Sequence, residues 1–135
     1  MIITFLDSNI LIGAYKGEPG VRALAQKILA DANRIFVASP FLSLEVLPFS
    51  EDAAEKEFMR AYFEDQVLAF RGDLQQILDV ANEEAERHRI RAMDALHIAA
   101  AWLAGAKELI TAERPNSPIY RTKLVKVVQL GDLNP

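Results

Sequence analysis

The chain contains no cysteine, which excludes disulfides, a thiolate metal site and a Cys nucleophile, and gives no reason to expect an oxidising compartment. It has no apolar run approaching the roughly 20 residues that cross a bilayer. Its start, MIITFLDSN, has no basic region and acquires a charge at position 7. The expectation is a cytoplasmic protein with no membrane partner. Positive charge is also scarce, since 15 Lys and Arg face 19 Asp and Glu for a net charge of −4. That balance argues against a protein that coats nucleic acid non-specifically, because such binding is driven by counterion release through many Lys and Arg contacts. An enzyme that cuts nucleic acid remains open. An acidic metal pocket adds negative charge that bound ions would cancel, and basic residues still cluster at 87–91 (RHRIR) and at Arg121, Lys123 and Lys126.

What is present suits a globular chain: 135 residues, 51% of them apolar and 25% charged, enough for one domain over 1–135 with a real core. A β-branched run, IITFL (2–6), predicts a strand. Asp7, Ser8 and Asn9 then offer N-caps for a helix to about Tyr15. After the turn at Gly17 to Gly20, apolar residues at helical spacing predict a second helix, and IFVA (35–38) a second strand. Ser39-Pro40 opens a short helix that carries Glu45. Helices follow over 51–64, with Ala54, Phe58, Ala61 and Tyr62 as the expected buried stripe, and after Asp73, with Leu74, Ile77, Leu78, Ala81 and Ala85 on one face. VLAF (67–70), ELIT (108–111) and KLVKVVQL (123–130) supply further strands. The helix over 92–104 is apolar nearly all round, which marks a central helix ended by Gly105. Alternating strands and helices predict an α/β fold with a parallel sheet between helix layers.

Three acids stand alone in apolar segments: Asp7 in MIITFLDSNILI, Glu45 in FLSLEVLPF and Asp94 in MDALHIAAAW. A buried carboxylate costs several kcal/mol (roughly) unless a cation, a metal or good hydrogen bonds meet it. None of the three segments carries a Lys or Arg beside its acid. In open parallel sheets ligands collect at the carboxyl ends of the strands. That rule draws together Asp7 after the first strand, Glu45 on the helix after the second, Asp94 on the helix leading into ELIT, and Glu113 two residues past it. Hard oxygen ligands suit Mg²⁺ or Mn²⁺. The chemistry such a site supports is hydrolysis of a phosphodiester, for which no Ser, Cys or His nucleophile is needed. Each acid also has a structural reading: a helix cap for Asp7, an outward turn for Glu45, a cap or an ion pair with Arg91 for Asp94, and a solvated turn for Glu113. His97, one turn after Asp94, reads as a packing residue rather than as an acid, base or ligand.

At these residues the chain resembles the PIN domain family and, within it, the small toxin nucleases of the VapC type. FLDSNILI (5–12) is similar to the family's opening strand with its Asp-x-Asn, SPFLSLEVL (39–47) to its Ser-x-x-x-x-Glu helix, and MDALHIAAA (93–101) to its Asp-Ala and Ile-Ala-Ala stretch. The resemblance spans essentially the whole chain and implies a parallel sheet of about five strands sandwiched by helices. It further implies Mg²⁺- or Mn²⁺-dependent endoribonuclease activity with RNA as substrate, dimerisation of the chain with itself, and neutralisation by a cognate antitoxin. Asp7, Glu45 and Asp94 match the family's acidic positions. Where the family usually has Thr-x-Asp, this chain has Thr111-Ala112-Glu113, and where it often carries a Gly before the Asp94 helix, Arg89 stands here. Arg89, Arg91 and Arg114 are the candidates nearest in sequence to hold RNA phosphates. The rival reading is a non-catalytic member of the same fold that binds RNA or a protein.

Overall fold

The computed structural model describes residues 1–68 and 72–133. Strands β1 (Ile2–Leu6), β2 (Arg34–Val37), β3 (Glu108–Thr111) and β4 (Lys126–Gln129) form one parallel sheet in the order β2-β1-β3-β4. Helices α1 (Ser8–Lys16), α2 (Pro19–Leu29), α3 (Pro40–Val46), α4 (Ala53–Ala61), α5 (Leu74–His88) and α6 (Ala92–Leu103) complete the expected three-layer α/β architecture. The sheet has four strands among the described residues rather than five. The VLAF segment contributes a single parallel bridge, Phe36 to Val67, with the Leu68 N–H donating to the Phe36 carbonyl. Ala69 and Phe70 lie outside the described residues.

The strand order matters for function. The chain runs from β1 outward to β2, then crosses through α3 to α6 and returns as β3 on the other side of β1. The sequence of strands therefore reverses between β1 and β3, and at such a reversal the loops at the carboxyl ends diverge and leave a crevice. Both strands are anchored deep: Phe5, Leu6, Leu109 and Ile110 are fully buried. So are Ile98, Ala99 and Ala101 of α6, which pack with Leu11, Leu42 and Ile77 in one continuous core.

Two helix faces differ from the sequence expectation. On α4 the buried positions are Glu55 and Met59, followed by Tyr62 in the π-helical turn Tyr62–Gln66, whereas Ala54 is exposed. An acid sits on the inner face because Lys16 reaches it from α1, with Nζ 2.7 Å from Glu55 Oε1. On α5 the inner face is Ile77, Ala81 and Glu84, and Leu74 and Leu78 are exposed. Glu84 accepts a hydrogen bond from the Thr122 hydroxyl at 2.5 Å. Both faces are rotated towards an acid whose partner comes from a distant segment, which periodicity alone cannot reveal. Trp102 on α6 is likewise exposed, at 44%.

The junction between α5 and α6 holds the one non-glycine residue with positive φ among those described, Arg89 (φ 55°, ψ 43°). This left-handed geometry ends α5 and turns the chain into α6, and it is the conformation that glycine adopts without a Cβ clash. Replacing Arg89 by Gly relieves that clash, so the expected outcome is a gain of about 1 kcal/mol in urea unfolding. An unchanged or lower midpoint would contradict it.

Candidate metal centre

Asp7 leaves β1 at the carboxyl edge of the sheet, directly opposite the end of β3. Its N–H still donates to the Ile110 carbonyl at 2.9 Å, so strand pairing extends up to the acid itself. Asp7 is 4% exposed, and its carboxylate meets two donors. Oδ1 accepts the Ser8 N–H at 2.8 Å, capping α1, and Oδ2 accepts the Thr111 hydroxyl at 2.8 Å. The cap reading of Asp7 therefore holds alongside its place in the site.

Thr111 is a saturated node. Besides donating to Asp7, its hydroxyl oxygen accepts Asn9 Nδ2 at 3.3 Å and the Glu113 N–H at 3.2 Å, which exhausts the one donor and two acceptors that a hydroxyl offers. Asn9 Oδ1 in turn accepts the Ala112 N–H at 3.0 Å. The Glu113 carbonyl accepts Tyr120 Oη at 2.7 Å and Gln129 Nε2 at 3.1 Å. The backbone carrying Glu113 is thus fixed from α1, β3, the segment before β4 and β4 itself, and its half-buried side chain stands at the same edge as Asp7.

Glu45 arrives from the other direction. Ser39 caps α3 with Pro40 in the first turn, and the helix packs on α1 and α6. That packing turns Glu45 inward, with its side chain 28% exposed and Oε1 only 2.5 Å from Nε2 of the fully buried His97. The hydrogen bond to His97 holds the Glu45 carboxyl below the ordinary carboxylate range despite partial burial, and the nearby Ser8 adds a smaller lowering. Nε2 of His97 is also 3.9 Å from Asp7 Oδ1, so an oxygen of Asp7, an oxygen of Glu45 and this nitrogen lie within 4.8 Å of one another.

Asp94 lies in the first turn of α6, one turn before His97 on the same face. Burial first, then the charges of Asp7, Glu113 and Glu45, push its carboxyl up from 3.8 to about 6, with His97 opposing. Asp94 and Glu113 are thus within electrostatic reach of the other two acids but outside the tightest group of Asp7, Glu45 and His97. No Lys or Arg among the described residues forms a salt bridge with any of the four carboxylates. Elsewhere buried acids are compensated: Glu108 at the amino end of β3 accepts Arg34 Nε at 2.9 Å and the Thr4 hydroxyl at 2.8 Å. The donor set here, several oxygens from separate elements, one acid raised by its neighbours and no paired Lys or Arg among the described residues, fits a hard divalent ion. Glu45 and Asp94 are only partly buried, which leaves the site open on one side.

Three members of this arrangement carried no functional reading in the sequence. His97 shows only its spacing from Asp94, and its contact with Glu45 bridges 52 positions. Asn9 and Thr111 were legible as parts of Asp-x-Asn and Thr-x-Glu, but not as partners of each other. Arg89, Arg91 and Arg114 are exposed and form no salt bridge among the described residues.

A family model described as PIN domain matches residues 4–114. No curated protein matches the chain in sequence. Solved structures share the fold at low identity. A toxin–antitoxin complex from Klebsiella pneumoniae is 20% identical with a TM-score of 0.71, over 94% of this chain and 97% of that one. VapBC2 from Rickettsia felis, bound to a DNA fragment from its promoter, is 15% identical with a TM-score of 0.67, over 95% and 98%. FitAcB from Neisseria gonorrhoeae is 16% identical with a TM-score of 0.64, over 96% and 99%.

The charge balance at Asp94 has a measurable consequence. Its folded pKa lies above its unfolded one, so folding retains a proton that the unfolded chain releases, and stability falls as pH rises from about 4 to about 6. Asp94→Asn removes this penalty. In metal-free protein at pH 8 the variant is expected to be more stable by about 1–2 kcal/mol, after allowing for solvent screening of a half-buried group. The difference should vanish near pH 4 in denaturant titrations. A variant less stable than wild type at pH 8 would contradict the repulsion.

Proposed function

The chain belongs to the PIN domain family, and from that premise we propose that it is a metal-dependent endoribonuclease serving as the toxin of a toxin–antitoxin pair. The observation that carries the proposal is the convergence of Asp7, Glu45, Asp94 and Glu113 on one sheet edge without a pairing Lys or Arg among the described residues. Asp7, Glu45 and Asp94 would hold the ion, with Glu113 assisting from the loop pinned by Thr111 and Asn9. A bound Mg²⁺ or Mn²⁺ supplies Lewis acidity towards the scissile phosphate and lowers the pKa of water for attack. The protein's part is to keep the carboxylates preorganised. Asp7 is locked by two hydrogen bonds and Glu45 by one, so neither must reorder when an ion and a phosphate arrive.

The exposed Arg89, Arg91 and Arg114 lie in the segments flanking Asp94 and Glu113, and they would hold RNA phosphates on either side of the cut. The toxin role is supported by the structural likeness to the toxin–antitoxin complex from Klebsiella pneumoniae. A cognate antitoxin and a second copy of this chain are the proposed partners. Exposed apolar side chains at Leu44, Phe49, Leu74 and Leu78 offer surface for such contacts. No helix among the described residues is long and apolar enough to cross a membrane, and a cytoplasmic location fits this reading.

Asp94→Asn tests the proposal cleanly, because the Asp94 carboxylate makes no hydrogen bond among the described residues and its repulsion by the neighbouring acids is relieved by the amide. Wild type is expected to cleave RNA with Mg²⁺ or Mn²⁺ and to stop on addition of EDTA. The variant should fold normally and lose about 100-fold or more in rate, of the order seen when a preorganised charge is removed from a catalytic site. Cleavage by the variant at the wild-type rate would sink the proposal.

A further inference from the structure

His97 is the buried polar group at the centre that the mechanism above does not use. It is fully buried, and its ring is held at a 5.5 Å centroid distance from that of Phe5. Nε2 points at Glu45 and Asp7, whereas Nδ1 is buried with no hydrogen-bond partner among the described residues. This asymmetry distinguishes two roles. A histidine that ligates a metal through Nε2 must carry its proton on Nδ1, and ligating histidines almost always donate that proton to a carboxylate, a carbonyl or water. Here such a proton would be a buried donor with no acceptor among the described residues, the rarest kind of unsatisfied group. A proton on Nε2 instead donates directly to Glu45 and leaves Nδ1 as a bare acceptor, which a protein interior tolerates better.

We infer that His97 is a positioning residue whose Nε2–H holds the Glu45 carboxylate in place for the ion, and that its own nitrogen is not a ligand. The inference rests on the metal-binding reading of the carboxylates. It makes the site an all-oxygen one, suited to Mg²⁺ or Mn²⁺ rather than to ions that favour imidazole. The floor of the site is then a fixed donor: α6 delivers both Asp94 and, one turn later, the group that aims Glu45.

The test uses ¹⁵N-labelled protein and long-range imidazole correlations, with and without Mg²⁺, together with Mg²⁺ affinities of wild type, His97→Ala and His97→Gln. The expected His97 pattern is protonated at Nε2 and unprotonated at Nδ1, unchanged by Mg²⁺. His97→Ala should bind Mg²⁺ about 10–100-fold more weakly. His97→Gln, which can place an N–H near Nε2, should recover most of that loss. Protonation at Nδ1 in the metal-free protein, a move of the proton to Nδ1 when Mg²⁺ binds, or equal Mg²⁺ affinity of His97→Ala and wild type would each overturn the inference. If wild type binds neither Mg²⁺ nor Mn²⁺, the metal reading itself fails, and the metal-free imidazole pattern still decides whether His97 donates to Glu45.

Discussion

The site depends on the Thr111 hydroxyl bonded to Asp7. These two residues end adjacent parallel strands at the point where the strand order reverses, and both are almost entirely buried. A buried carboxylate must be met by donors, and a buried hydroxyl must place its proton somewhere; each satisfies the other. From that bond the remaining contacts follow in order. Thr111 accepts from Asn9 and Glu113, Asn9 fixes Ala112, and the loop that presents Glu113 is bound to the helix that Asp7 caps. One capping acid therefore links β1, α1, β3 and the loop after it.

The distribution of buried acids gives this geometry its meaning. Glu55 is met by Lys16, Glu84 by Thr122, and Glu108 by Arg34 and Thr4. The fold can thus bring a cation or a hydroxyl across long sequence separations when it needs to neutralise an inner carboxylate. At the carboxyl edge Thr111 and His97 hydrogen-bond Asp7 and Glu45, but no Lys or Arg among the described residues pairs with any of the four acids. Asp94, among three other acids, is left with a raised proton affinity. Such a cluster destabilises the bare protein, and a divalent ion is the natural remedy.

Much of this could be read from the sequence because isolated acids in apolar runs are conspicuous. The strands at 2–6 and 108–111, the Ser39 cap and the turn at Gly105 carry local signals, and the rule of ligands at strand ends turns scattered acids into one site. What escaped was non-local. Glu55 and Glu84 face inward because of Lys16 and Thr122, so the stripes drawn through Ala54, Leu74 and Leu78 were displaced. VLAF has strand composition but pairs only at Val67 among the described residues. His97 read as packing because nothing near it in the chain shows that Glu45 stands opposite. Arg89 sits where a glycine is often found, and its positive φ shows the same local demand met at a steric cost.

The central claim is that the carboxylates at the β1–β3 edge form a binding site for a divalent ion. The most direct measurement is anomalous diffraction from crystals of the protein soaked in Mn²⁺. The expected result is a manganese peak among the carboxylates of Asp7, Glu45 and Asp94, at oxygen-ligand distances of about 2.0–2.4 Å. A well-ordered site with no peak there, or with manganese bound only elsewhere on the surface, would contradict it.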